Sequence, residues 1–166
     1  DPKAAAIKEH IEKKGYIVRS PNKARAIQVT EKASAGLYRT RVGMVPLVGR
    51  IAAGVPILAE ENIEGYVPAA AAYARPGIYA LRVQGDSMTE DGILEGDTIL
   101  VDRNLAPAQG DVVVALVERE ATVKRFYRHG DMVELRPANS AHRPLLVPAQ
   151  SVQLQGVVVA LQRSLR

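Results

Sequence analysis

The chain has 166 residues, of which 24% are charged and 47% are hydrophobic, so it can form a packed core in one or two domains. It contains no cysteine, which excludes disulfide bonds and thiolate metal sites and fits a reducing compartment. No signal peptide is evident, and no apolar run approaches the roughly 20 residues of a membrane span. We therefore expect a cytoplasmic protein without a membrane partner.

Charge is distributed unevenly along the chain. Residues 1–41 contain 10 Lys or Arg and 4 Asp or Glu, a net charge of +6, whereas residues 42–166 contain 12 and 14, a net charge of −2. A basic block beside a nearly neutral body predicts an anionic partner for that block, with nucleic acid as the first candidate. The alternative is a solvated charged helix followed by a basic linker.

The basic block begins with a predicted helix over residues 1–14. Asp1 can cap its first turn, and the apolar residues that follow recur at helical spacing: Ala4, Ile7 and Ile11. Two short strands are predicted next, Tyr16–Arg19 and Ala24–Val29. One helix and one hairpin cannot bury a core alone. Because Asp1 is also not a natural initiator, we expect further residues to precede this block.

Residues 30–41 show no clear hydrophobic periodicity and are predicted to form a flexible linker. From residue 42 onward, short apolar runs separated by Gly, Pro and Asp predict a mostly antiparallel β body. The predicted strands are Val45–Val48, Ile78–Val83, Asp97–Asp102, Asp111–Val117, Ala121–Tyr127, Met132–Arg136 and Val152–Gln162. Pro68–Tyr73 is predicted to be a short helical turn or a loop. The last strand, if it lies at an edge, invites pairing with a second copy; the alternative is an internal strand.

Ser87 lies in the run Gly85–Met88, directly after a predicted strand. The spacing from Ser87 to Glu90 is that of a helix capping box, which gives the serine a purely structural interpretation. A serine at a strand-to-helix turn is also exposed beside free backbone amides, which can stabilise an oxyanion. This segment alone leaves both interpretations open.

Lys124 lies in a predicted strand in which Thr122, Lys124 and Phe126 share one face. Beside Phe126 the amine is expected to be partly desolvated, which lowers the pKa of a lysine and lets it act as a base. The Thr122 hydroxyl is in a position to orient that amine. The alternative is an ordinary edge-strand lysine.

A third segment, Val48–Pro56, contains the small dipeptide Ala53-Gly54. Its glycines permit a sharp bend, and Ile51–Ala53 can lie extended in a narrow groove by strand addition. The alternative is a simple loop between two strands.

Together, these segments resemble the LexA-type self-cleaving repressors over nearly the whole chain. Five motifs carry the resemblance in the family's order: Gly49–Gly54, Gly85–Met88, Glu95–Asp97, Gly110-Asp111 and Ala121–Arg125. The resemblance implies an antiparallel β peptidase and dimerisation domain over residues 42–166, of the LexA and signal-peptidase type. It also implies a partial winged helix-turn-helix domain over residues 1–29, consisting of one helix and a β-wing, with the linker at residues 30–41.

The resemblance further implies a mechanism. Ser87 would attack the carbonyl carbon of Ala53, and Gly54 would supply the leaving amine. Neutral Lys124 would take the serine proton, and the backbone amides of Asp86 and Ser87 would hold the oxyanion. In this family, a RecA filament on single-stranded DNA favours the engaged form of the cleavage segment.

The function implied by the resemblance is a dimeric repressor of DNA-damage (SOS) genes, associated with the bacterial nucleoid and bound to a double-stranded DNA operator. Its candidate DNA-binding residues are Lys3, Lys8, Lys23 and Arg25.

Four other functions remain open. Three share the cleaving body: a UmuD-like polymerase accessory protein, a signal-peptidase-like membrane enzyme and a phage-type repressor. The fourth, a non-cleaving DNA-binding module, would survive alkaline incubation intact. The acidic residues between 90 and 102 do not match a calcium loop, and the three histidines have no ligand spacing. We therefore expect no metal and no cofactor.

Overall fold

The computed structural model describes residues 1–14, 17–19, 27–29 and 42–166. The chain divides into two compact units, Asp1–Gly43 and Met44–Arg166. The residues between the first two strands and the predicted linker at residues 30–41 lie outside the described residues.

The first unit contains the predicted helix and the predicted pair of strands. Helix α1 spans Pro2–Lys13, and the Asp1 carboxylate caps it by accepting a hydrogen bond from the backbone amide of Lys3 at 3.0 Å. Strands β1 (Ile17–Arg19) and β2 (Ile27–Val29) pair antiparallel. Both elements were predicted from the sequence.

The second unit is built around one nine-stranded sheet, whose first strand starts at Val42, two residues before the unit's boundary. Its strands are β3 (Val42–Val48), β4 (Ile63–Ala70), β5 (Ile78–Arg82), β6 (Thr98–Asp102), β7 (Val112–Val117), β8 (Glu120–His129), β9 (Met132–Arg136), β10 (Leu145–Pro148) and β11 (Val152–Gln162). Their order in the sheet is β10-β9-β8-β7-β11-β6-β5-β3-β4. The pairs from β10 to β5 are antiparallel, whereas β3 and β5 are parallel. The predicted mostly β, largely antiparallel fold is confirmed.

Two strands were missing from the prediction, and they are the two edges of the sheet. Strand β4 ends at Ala70, so the segment predicted as a turn or loop is half strand, followed by a 3₁₀ turn over Ala71–Tyr73. Strand β10 has only four residues. Each of these strands contains a proline, Pro68 or Pro148, which an edge strand tolerates because one row of its amides needs no partner.

Strand β11 lies between β7 and β6 in the order of the sheet, which is the internal position given as the alternative, but each of its halves pairs along one side only. Residues 152–157 pair with β7, and residues 157–162 pair with β6. The change of partner occurs at a bend next to Gly156, whose φ is 146°. A Cβ atom at Gly156 would lie 2.6 Å from Cγ1 of Val101 and 2.8 Å from the carbonyl oxygen of Asp102. The bend therefore requires glycine.

The apolar interior of this unit contains the residues next to Ser87 and Lys124. Met88, next to Ser87, is only 2% exposed and packs in an apolar cluster with Tyr79 and Ile99. On the other side, Val123, next to Lys124, packs against the same cluster. One apolar core therefore anchors both residues of the predicted Ser/Lys pair from behind.

Candidate active site

Ser87 and Lys124 meet in the structure, although they are 37 positions apart in the chain. Nζ of Lys124, on β8, lies 3.0 Å from Oγ of Ser87, in the turn that follows β5. The same nitrogen lies 2.6 Å from Oγ1 of Thr122 and 3.2 Å from the carbonyl oxygen of Val123. Three oxygens therefore surround the amine, and two of them belong to residues singled out from the sequence.

The environment of Lys124 disfavours its charge. Burial of the side chain lowers the pKa of Lys124 below the ordinary lysine value. Among the described residues, no carboxylate lies within ion-pair distance of Nζ, so no negative charge counteracts that effect. The amine is therefore easier to deprotonate than a surface lysine.

The capping-box interpretation of Ser87 is wrong. The short 3₁₀ helix that follows spans Thr89–Asp91, begins after Met88 and has no side-chain cap. The Glu90 carboxylate accepts a hydrogen bond from the amide of Ser140 at 2.9 Å instead of turning back to the start of the helix. Ser87 Oγ thus stays available to Lys124.

The turn that carries Ser87 is fixed by contacts that the sequence did not predict. The Asp86 carbonyl oxygen accepts hydrogen bonds from Thr89 and Asn139, and the Asp86 carboxylate lies 2.8 Å from Nε2 of His142. The carboxylate of Glu95 accepts a bond from the Gly85 amide at 3.3 Å. No sequence spacing reveals Asn139 or His142, because they lie more than 50 positions further along the chain.

The backbone amides of Asp86 and Ser87, predicted to hold an oxyanion, remain available. Within the described part of the chain, no group accepts a hydrogen bond from either amide. Two adjacent unpaired N–H groups beside a serine hydroxyl can bind a developing negative charge on oxygen.

A cleft of about 190 Å³ opens beside Ser87 and Lys124. Its walls come from β5, the serine turn, β8 and the start of the Val48–Pro56 segment: Gly49, Ile51, Leu81, Arg82, Val83, Gln84, Ser87, Met88, Ala121, Thr122, Val123 and Lys124. The cleft can thus receive an extended peptide that enters next to Ile51.

The dipeptide Ala53-Gly54 lies outside that cleft. Both residues are exposed in a tight turn closed by a hydrogen bond from the amide of Val55 to the carbonyl oxygen of Ala52 at 3.4 Å. They line a separate shallow depression that also involves Arg119. On either side of the turn, Ile51 and Ile57 pack against the core, so the exposed stretch between them is short. The structure brings Ser87 and Lys124 together but holds the predicted cleavage bond apart from them.

Two of the four candidate DNA-binding residues can be located. Lys3 and Lys8 are exposed on α1, whereas Lys23 and Arg25 lie outside the described residues.

In the described ranges, no group of three or more acidic or histidine side chains is arranged to hold a metal ion. None of the helices described is both long and apolar enough to cross a membrane.

The fold and comparisons with known proteins define the class. Residues 46–159 of this mostly β body match the family model described as Peptidase S24-like, a class of serine peptidases. The LexA repressor of Finegoldia magna is 44% identical over 159 residues, which cover 93% of this chain and 76% of that protein. The LexA repressor of Moorella thermoacetica is 47% identical over 154 residues, 92% of this chain and 74% of that protein. The chain belongs to the Peptidase S24-like family and, within it, to the LexA-type repressors.

Proposed function

We propose that this protein represses DNA-damage (SOS) genes and is inactivated when it cleaves its own Ala53-Gly54 bond. The hydrogen bond between Lys124 Nζ and Ser87 Oγ at 3.0 Å, made by an amine whose pKa burial lowers, is the observation that carries the proposal. A serine hydroxyl is a weak nucleophile by itself, and a neutral amine in contact with it supplies the base that the reaction needs.

In the first step, neutral Lys124 takes the hydroxyl proton of Ser87 while Oγ bonds to the carbonyl carbon of Ala53. The oxygen of that carbonyl becomes negatively charged and is stabilised by the amides of Asp86 and Ser87. The Lys124 ammonium then returns its proton to the nitrogen of Gly54 as the carbon–nitrogen bond breaks. An ester between Ser87 and Ala53 remains.

In the second step, water hydrolyses the ester. Lys124, neutral again, takes a proton from the water as its oxygen attacks the carbonyl carbon of Ala53. Collapse of the intermediate returns the proton to Ser87 Oγ and releases a fragment that ends at Ala53 with a free carboxylic acid, which ionises by losing its proton to solvent. The enzyme's groups return to their starting protonation states.

Cleavage requires the exposed turn to move into the cleft. The contact of Ile51 with both the core and the cleft supports a short movement, because only the residues after Ile51 must leave the turn and extend along the wall. A partner that binds the engaged form more tightly than the exposed one accelerates cleavage by shifting the population. We propose that a RecA filament on single-stranded DNA is that partner.

The basic first unit supports a role in operator binding. Residues 1–29 would form part of a winged helix-turn-helix domain, joined by the linker 30–41 to the peptidase and dimerisation domain at 42–166. Lys3 and Lys8 are exposed on α1 and can approach DNA phosphates. A two-fold symmetric dimer would match a palindromic operator on the nucleoid.

The dimer is proposed to form through the peptidase domain. Leu154 and Leu161, on β11, are 42% and 41% exposed, which is unusual for large apolar side chains in a sheet. Residues 157–162 pair with β6 along one side only, among the strands that the structure describes. That open side can pair with the same segment of a second copy.

The test is mass spectrometry of the purified chain after alkaline incubation. We expect two fragments, one ending at Ala53 and one starting at Gly54. Ser87→Ala and Lys124→Ala should each abolish them while retaining the β-rich circular dichroism spectrum. Unchanged fragments from either variant would refute the Ser/Lys mechanism, and an intact parent chain would favour a non-cleaving DNA-binding module.

A further inference from the structure

Asn139 contacts the turn that carries Ser87, although it belongs to the loop between β9 and β10. Its Nδ2 donates hydrogen bonds to the carbonyl oxygen of Asp86 at 2.8 Å and to Oγ1 of Thr89 at 3.2 Å. Thr89 donates to the same carbonyl oxygen from its hydroxyl, at 2.8 Å, and from its amide, at 3.3 Å. Three donors therefore converge on one carbonyl group.

That carbonyl group shares a peptide unit with the amide of Ser87. Because a trans peptide is planar, its C=O and N–H bonds point in opposite directions. Fixing the Asp86 carbonyl therefore fixes the direction of the Ser87 N–H. Hydrogen bonds accepted by the carbonyl also polarise the unit and strengthen the N–H as a donor.

The orientation of the Asn139 side chain is itself determined by the loop. Its Oδ1 accepts a hydrogen bond from the backbone amide of Ala141 at 2.9 Å, so the amide cannot flip without losing that bond. Nδ2 is thereby left facing Asp86. The asparagine acts as a fixed link between its own loop and the Asp86–Ser87 peptide.

We propose that Asn139 is a positioning residue that aims the Ser87 amide at the oxyanion formed from the Ala53 carbonyl. This inference rests on the proposed self-cleavage. Asn139 touches neither reacting group and acts through the peptide between Asp86 and Ser87. Its removal leaves the hydroxyl and the base in contact, but only the two Thr89 donors then hold the peptide that carries the oxyanion donor.

The loop has other attachments that do not use the Asn139 side chain. The Glu90 amide donates to the carbonyl oxygen of Ala138 at 2.7 Å, and the Glu90 carboxylate accepts from the Ser140 amide at 2.9 Å. Neither bond involves the Asn139 side chain, so both should persist when it is truncated. The variant Asn139→Ala is therefore expected to fold and to keep its loop near the serine turn.

The experiment compares Asn139→Ala with Asn104→Ala as a matched control. Asn104 also donates from Nδ2 to a backbone carbonyl oxygen, that of Pro76 at 3.5 Å, but contacts neither Asp86 nor Ser87. Two rates are measured on the full chain from neutral to alkaline pH. One is self-cleavage at Ala53-Gly54; the other is phosphonylation of Ser87 by an alkyl fluorophosphonate, whose phosphoryl oxygen occupies the oxyanion position.

In Asn139→Ala, we expect both rates to fall about tenfold or more, since loss of a complete oxyanion donor costs roughly 10²–10³-fold. The midpoint of the pH–rate curve should not move, because Lys124 keeps its contacts. Asn104→Ala should match the parent. Thr89→Val, which removes the other side-chain donor to the Asp86 carbonyl, should also lower both rates.

Three results would overturn the positioning role. The first is that Asn139→Ala has the parental rates, and the second is that Asn139→Ala cleaves more slowly but is phosphonylated at the parental rate. The third is that Asn139→Ala does not fold while Thr89→Val has the parental rates. Ser87→Ala separates this inference from the proposed function. Cleavage that persists in Ser87→Ala refutes self-cleavage by the Ser/Lys pair, whereas parental cleavage in Asn139→Ala with none in Ser87→Ala refutes only the role of Asn139.

Discussion

The Thr122 hydroxyl oxygen lies 2.6 Å from Nζ of Lys124, closer than the Ser87 hydroxyl oxygen at 3.0 Å. With the carbonyl oxygen of Val123 at 3.2 Å, three acceptors face the three hydrogens of an ammonium group. A neutral amine has only two hydrogens. If these stay with Thr122 and Val123, the lone pair is directed at Ser87, which is the orientation that a general base needs.

Thr122→Val is therefore expected to slow self-cleavage by about tenfold, since it removes one of the two acceptors that orient the neutral amine. Thr122→Ser keeps a hydroxyl at the same atom and should stay within about twofold of the parent by the same argument. The measurement is the first-order rate constant of fragment formation at a fixed alkaline pH. Equal rates in the two variants would show that the hydroxyl does not orient the base.

The rate of self-cleavage should depend on the protonation of Lys124. Because burial lowers the pKa of Lys124, the neutral fraction at any pH below that pKa exceeds that of a surface lysine. The rate should rise with pH and level off below 10.5, the ordinary lysine value. Lys124→Arg should stay inactive throughout, because a guanidinium group does not deprotonate in proteins. A rate that is flat from neutral to strongly alkaline pH would exclude a lysine base.

The same pKa shift has a consequence for stability. The folded chain binds the Lys124 proton less tightly than the unfolded chain, so unfolding at neutral pH relieves the cost of a desolvated ammonium. The contribution of Lys124 to stability is thus most favourable above pH 10.5 and is lost as the pH falls through its folded-state pKa. In the Ser87→Ala background, which prevents the proposed cleavage, Lys124→Met should raise the urea midpoint at pH 7, and the difference should shrink toward pH 10.5. An equal midpoint at pH 7 would contradict a cost of the buried ammonium.

Gly54→Asp should block cleavage through its charge. Gly54 has a φ of 82°, and nothing lies within 4 Å of a Cβ built there, so the exposed turn tolerates Asp, which enters the left-handed region more readily than most residues. In the proposed engaged form, however, the carboxylate would approach Lys124 and raise its pKa. Each unit of that increase lowers the neutral fraction about tenfold below the pKa.

Gly54→Asn is the matched control because it has the same shape without the charge. If the Asp charge raises the pKa of Lys124 by about one unit, the Asn variant should cleave at least about tenfold faster than the Asp variant near neutral pH. The difference should narrow as the pH rises. Equal rates in both variants at every pH would assign the block to shape alone.

The strands nearest the site could be predicted from the sequence because their apolar residues are buried on a sheet that is paired on both sides. Strand β8 shows this: the alternation of Thr122, Lys124 and Phe126 predicted one shared face, and Thr122 and Lys124 do meet there. The edge strands β4 and β10 were not predicted, because proline argues against a strand in the sequence although it is excluded from central strands only. Pro68 and Pro148 interrupt the strand pattern because proline has no amide to donate to a neighbouring strand.

The site was only half predictable for a different reason. Ser87, Lys124 and Thr122 belong to local patterns with chemical meaning, whereas Asn139 acts through a carbonyl group 53 positions away. No local period encodes such a contact. The capping-box motif predicted a contact that does not form, because the Glu90 carboxylate accepts a hydrogen bond from the amide of Ser140 in another loop. Tertiary contacts decided both cases.

Gly156→Ala should destabilise the second unit by about 3 kcal/mol. The added Cβ would overlap Cγ1 of Val101 and the carbonyl oxygen of Asp102, and overpacking together with a φ of 146° costs roughly this much. Gly65→Ala on β4 is the control: nothing lies within 4 Å of its Cβ, so it should be neutral or slightly stabilising. The measurement is urea unfolding followed by circular dichroism at neutral pH, in the Ser87→Ala background so that cleavage does not interfere. Equal midpoints would mean that the bend in β11 does not require glycine. The change of pairing partner from β7 to β6 would then be stabilised by the strand pairing on either side of the bend.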